Sequence, residues 1–158
     1  MPESFQKKLQ HEIQQIDHLL DSFQPLLDVV KVREPDIIEL SALATVLHSF
    51  YGGIENIFAT IGKNLDDQVP TGTKWHKDLL IQMSKPTENR SAIIGDRLHT
   101  ELTGFLSFRH FFRNSYAYQL DWDQLRPLVQ SISETWSELK ESLVQLLDID
   151  EEDPESPV

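Results

Sequence analysis

Cysteine is absent from this chain of 158 residues. That excludes disulfides and thiolate metal sites, and it permits a cytoplasmic home without requiring one. Glycine is scarce, at six residues, and strand-like alternation of apolar and polar residues is missing, so a sheet is not expected. No apolar run approaches the roughly 18 to 20 residues of a membrane span. The opening segment MPESFQKKLQHEI lacks the apolar stretch of a secretory signal. Gly-rich phosphate loops, a Gly-x-Ser-x-Gly elbow and paired-carboxylate motifs are all missing. His11, His18 and His48 are scattered, and His99 reads as a surface histidine. No His-x-x-x-His pair is backed by acids, so neither a metal site nor a cofactor is expected.

Acidic residues outnumber basic ones, 26 to 14, for a net charge of −12. Binding of nucleic acid through bulk surface charge is therefore disfavoured. The distribution says more than the total. Residues 147–158 (LDIDEEDPESPV) hold six acids and no base, whereas residues 74–113 hold seven Lys or Arg against four Asp or Glu. A locally basic segment on an acidic body suits a phosphodiester, and the acidic body equally suits a basic protein partner.

Apolar residues recur at helical spacing along most of the chain. A first helix is expected from about Pro2 to Lys31, kinked or broken at Pro25. Glu34-Pro35-Asp36 stops it and starts a second helix that runs to about Asn64 and carries Gly52-Gly53. A short helix over about Lys74 to Ser84 follows a loop. A longer one is expected from Ser91 to Tyr118, and a last one, restarted at Asp121-Trp122-Asp123, from there to about Leu147. The fold class is thus all-α, an antiparallel bundle of four to five helices. Residues 1–146 form the expected domain, and 147–158 an acidic tail expected to be disordered.

Chemistry concentrates in Phe108-Arg109-His110-Phe111-Phe112-Arg113-Asn114-Ser115-Tyr116-Ala117-Tyr118. On one continuous helix Arg109, Arg113 and Tyr116 share a face, and His110 and Asn114 share the adjacent one. Two guanidinium forks suit phosphate oxygens, and an imidazole is the side-chain type suited to proton transfer near neutrality. Cleavage of a phosphodiester needs both capacities. The phenylalanines suit a core, a dimer face or base stacking. The same mixture near a helix C-terminus also suits plain capping and dipole interactions. His76 and Lys77, in the turn Trp75-His76-Lys77, either line the same cleft or sit on the surface as a cap. Glu55 and Asn56 lie within the apolar helix YGGIENIF, where polar groups are usually satisfied intramolecularly; an arginine of the motif helix is an alternative partner for Glu55.

At these residues the sequence resembles the HEPN superfamily, specifically HepT-like toxins of HEPN/MNT toxin–antitoxin pairs. The family signature is Arg, a polar residue, three residues, His, one residue, Tyr. It maps onto Arg109, His110, Asn114 and Tyr116. YGGIENIF, Trp75-His76-Lys77 and the LDW after the motif also fit, and the resemblance covers about residues 35–145. It implies a HEPN-like bundle that forms a homodimer with two motif helices across a composite cleft. It further implies metal-independent cleavage of RNA, tRNA or mRNA, with the 2′-hydroxyl as nucleophile. Arg109, His110 and Asn114 would then be catalytic, and Arg113, His76 and Lys77 would bind RNA phosphate. Tyr116 would accept AMP from an MNT nucleotidyltransferase antitoxin, with Tyr118 auxiliary. Asn114 stands where the family has His, and an amide cannot relay a proton near neutrality. Three accounts are open: His110 takes over the proton transfer, Asn114 is an inactivating change, or the chain is a non-catalytic adaptor for a protein partner.

Overall fold

The structure is a computed structural model that describes residues 2–151, with the side chains of 149–151 left aside. Five α-helices make up the described chain: α1 (Glu3–Val29), α2 (Ile37–Ile61), α3 (Trp75–Met83), α4 (Asp96–Arg113) and α5 (Trp122–Glu151). No β-strand forms among the described residues; Thr87 and Arg90 pair in one isolated bridge. The all-α bundle follows from the periodic apolar residues, which α2 gathers. Helix α2 packs against all four other helices, and Leu43, Leu47, Phe50, Ile54, Ile57, Phe58 and Ile61 on it are fully enclosed. By length and composition alone Ile37–Asp66 is apolar enough to cross a membrane. Here its apolar side chains are the core of the bundle.

Local signals set several helix ends. The Asp36 carboxylate accepts from Glu39 N at 2.8 Å, and Glu39 Oε1 accepts from Asp36 N at 3.0 Å, a reciprocal capping box for α2. Arg33 grips the same Glu39 through both terminal nitrogens at 2.7 and 2.8 Å. Asp121 Oδ1 accepts from Asp123 N at 3.0 Å and starts α5. Helix α5 then carries Pro127 in its early turns.

Three boundaries differ from the sequence reading. Pro25 neither ends nor interrupts α1, which runs to Val29. Leu27, in its last turn, is buried and holds that turn against the core. Helix α5 extends to Glu151, so the boundary expected after residue 146 falls inside a helix. The remaining acidic residues lie outside the described ones. Most consequential, α4 spans Asp96–Arg113 instead of 91–118. Asn114 leaves helical geometry and its amide donates back to the His110 carbonyl at 3.0 Å. This local bond competes with the helical ladder. Tyr116 is extended, and a short 3₁₀ turn follows at Ala117–Gln119.

Candidate phosphate-binding cleft

The motif helix meets the core helix through one carboxylate. Glu55, 5% exposed on α2, accepts from Arg109 Nη1 of α4 on Oε1 and binds His76 Nδ1 of α3 on Oε2 at 2.6 Å. A buried charge requires partners, and Glu55 draws one from each of two helices. The expected reach of Glu55 to the motif arginine is therefore present. Of the two placements open for Trp75-His76-Lys77, Trp75 and His76 take the cleft, whereas Lys77 lines the neighbouring hollow. The Trp75 and His76 rings stack with centroids 3.6 Å apart. Burial, aided by the Glu55 charge and opposed by Arg109, raises the Tyr51 phenol above its usual range and keeps it neutral.

Arg109 stands where three hollows meet. A central cleft of about 520 Å³ lies between α2, α3 and α4, with His48, His76, Arg109 and Arg113 among its walls. A second, of about 420 Å³, lies between α3 and α4 and adds Lys74, Lys77 and His110. The third is a groove of about 780 Å³ between α1 and α2, lined by His11, His18, His48 and Arg109. The guanidinium is incompletely satisfied. Arg109 Nε is buried with no partner, and the same is true of His48 Nδ1 and Ser115 Oγ; among the described residues these are the buried side-chain polar atoms without one. Natural interiors leave few such atoms, and two of these three belong to residues lining the central cleft.

His48 was not singled out by the sequence reading. It is half-buried, and its ring lies 5.1 Å from that of Phe112, which in turn stacks on Phe108 at 5.8 Å. Burial lowers its pKa, and the positive charges of Arg109 and Arg113 lower it further. A signal was present in the spacing: His48, Gly52 and Glu55 follow i, i+4, i+7 and so share one face of α2.

The other expected site residues divide. Arg109, Arg113 and His76 line the central cleft, whereas His110 and Lys77 line the neighbouring one. Asn114 is exposed and occupied as the α4 cap. Because α4 stops at Arg113, Tyr116 does not continue the face of Arg109 and Arg113, and His110 and Asn114 do not form a second helical face. Tyr116 and Tyr118 instead stand 72% and 76% exposed, their rings nearly parallel at 5.8 Å.

Comparison with curated proteins and with solved structures gives no match. A family model described as HepT-like protein matches residues 42–149. That stretch begins inside α2, takes in the rest of the bundle through α5 and leaves α1 outside. It covers more than half of the chain and contains Glu55, His76 and the whole motif, so the chain belongs to the HepT-like protein family.

Proposed function

We propose that the chain is a HEPN-type ribonuclease, the toxin of a toxin–antitoxin pair, which cleaves tRNA or mRNA without a metal ion. The observation that carries this reading is the incompletely satisfied Arg109 guanidinium at the junction of three hollows, with Arg113 beside it. Such a cation suits the charge that develops on a phosphodiester during displacement. RNA supplies its own nucleophile in the 2′-hydroxyl. In this reading Arg113, His76 and Lys77 hold the backbone phosphates, and the basic segment 74–113 guides the strand. Tyr116 is the acceptor for AMP from an MNT nucleotidyltransferase, and its exposure supports access for that partner. Nucleotide there adds negative charge and bulk three residues after Arg113, which disfavours the approach of RNA phosphate. A homodimer in the cytoplasm completes the proposal, and the exposure of Phe111, near the end of α4, supports a pairing face there.

Purified protein incubated with total tRNA tests this. The wild type cleaves, and Arg109→Ala reduces cleavage at least about 100-fold, the scale of losing one transition-state donor. Cleavage that survives Arg109→Ala overturns the assignment. Mass spectrometry after co-expression with the antitoxin shows AMP on Tyr116; modification confined to Tyr118 contradicts that part. A second reading, a non-catalytic adaptor, draws support from Asn114, which caps α4 where the family has His. It is favoured if neither the wild type nor Asn114→His cleaves RNA.

A further inference from the structure

We infer that His48 and His76, which line the central cleft together with Arg109, are the proton-transfer pair of this chain, with His48 the general base and His76 the general acid. This rests on the ribonuclease reading and deepens it. Asn114, at the position expected for the family His, cannot move a proton and is engaged in capping α4. His110 lines the α3–α4 cleft and not the central one. The histidines that line the central cleft together with Arg109 and Arg113 are His48 and His76.

The two are differently prepared. His76 Nδ1 is held at 2.6 Å by Glu55 Oε2, and Glu55 Oε1 accepts from Arg109 Nη1. One carboxylate thus fixes the ring of the acid and the fork of the phosphate ligand together, and it leaves His76 Nε2 for the cleft. His48 has no such carboxylate. Its Nδ1 is buried without a partner, its ring is packed on Phe112, and Nε2 is the nitrogen left to meet a substrate. Charged and titratable groups reach the hollows around it from every side: Glu55 on its own helix, Arg109 and Arg113 from α4, and His76 from α3. From α1 come His11, Glu12 and His18. Burial first, then the two arginines, keep the ring in its neutral, proton-accepting form at pH 7.

The step balances without an added reactant. His48 Nε2 takes the 2′-hydroxyl proton as the O2′–P bond forms. The P–O5′ bond breaks, and protonated His76 delivers a proton to O5′. The products are a 2′,3′-cyclic phosphate and a 5′-hydroxyl. Proton exchange with water then resets both rings.

The test uses the full chain, tRNA for cleavage and a 2′-deoxy analogue of a cleaved oligonucleotide for binding. His48→Ala and His76→Ala each lower the cleavage rate at least about 100-fold, the range of general acid–base catalysis. Binding of the analogue to His48→Ala stays within about threefold, and His99→Gln, outside the cleft, keeps its rate. Free imidazole restores part of the His48→Ala activity, and the acid limb of the pH–rate profile disappears in that variant. His48→Gln, which retains a polar packing group, gives the same loss should the alanine variant fold poorly. Wild-type cleavage that is abolished by Arg109→Ala yet persists in both histidine variants overturns the pair and leaves the ribonuclease reading standing. Loss without imidazole rescue, and with an unchanged pH profile, assigns His48 to positioning and also overturns it. No cleavage by the wild type overturns both the pair and the reading beneath it.

Discussion

Two arginines of this molecule pair with buried carboxylates, and they are finished differently. Arg90 is fully enclosed. Its Nε and Nη2 bind both oxygens of Asp66 at 2.8 and 2.6 Å. Its remaining donors meet the carbonyls of Lys85, Ser91 and Gln82 at 2.9, 3.1 and 3.3 Å. A planar fork is used up there in tying the loop before α4 to the turn Gly62–Asp66 that follows α2. Arg109 shares its carboxylate with a histidine, keeps one buried donor unpaired and retains 20% exposure. The first arginine is structural because nothing is left to bind. The second has capacity to spare, at the edge of a cleft that also holds Arg113 and two histidines.

The largest expected effect concerns stability. Arg90→Ala strands Asp66 in the interior, and breaking a buried pair costs on the order of 3–5 kcal/mol. Arg109→Ala costs less, about 1–2 kcal/mol, because Glu55 keeps His76 and part of the fork already faces solvent. Urea unfolding of the two variants beside the wild type checks the order, and an equal or reversed loss breaks the comparison.

A smaller contrast lies in the adjacent glycines of α2, one under each wall of the groove. A Cβ on Gly53 would lie 3.0 Å from Ile16 Cγ1 of α1, whereas one on Gly52 would lie 3.8 Å from Arg109 Nη2. Gly53→Ala therefore makes the Ile16 side chain give way by a few tenths of an ångström, at about 1–3 kcal/mol. Gly52→Ala meets only ordinary contact and gains up to about 1 kcal/mol of helix stability. Thermal unfolding of the pair reads both signs, and a loss at Gly52 as large as that at Gly53 contradicts the packing.

Least costly is the acid response of the α2 cap. Hydrogen bonds from Arg33 first, then from the Asp36 backbone, lower Glu39 to about 2 from an ordinary 4.5. A depressed carboxylate contributes stability that is complete above the ordinary value and is lost as pH falls through the folded one. Protection of the Asp36 and Glu39 amides from hydrogen exchange, relative to their intrinsic rates, should thus fall between about pH 4.5 and 2. Glu39→Gln removes that pH dependence, and its persistence would count against the capping box.

Much of the fold was legible because it is local. Apolar periodicity gave the helices, and Asp36 and Asp121 marked two starts that the structure bears out. Of the kink or break expected at Pro25, the break is absent, and Leu27 beyond it is buried in the continuing helix. The site was legible in part. The basic segment, Arg109 and the reach of Glu55 came from composition and motif, although that contact joins residues 54 apart. The convergence of His48 with the motif was hidden, because it depends on how α2 and α4 are rotated against each other. The end of α4 was misread because a side-chain-to-backbone bond from Asn114 outcompetes a weak helical continuation.

The contrast between a finished and an unfinished arginine is tested most directly by the Nε–H signals of the two guanidinium groups. Protein labelled with ¹⁵N arginine is titrated with an RNA analogue that carries 2′-deoxyribose at the cleaved position. The account predicts that the Arg109 Nε–H signal shifts and gains protection from exchange while that of Arg90 stays in place. A complex that forms with the Arg109 signal unmoved, or with Arg90 responding instead, contradicts it.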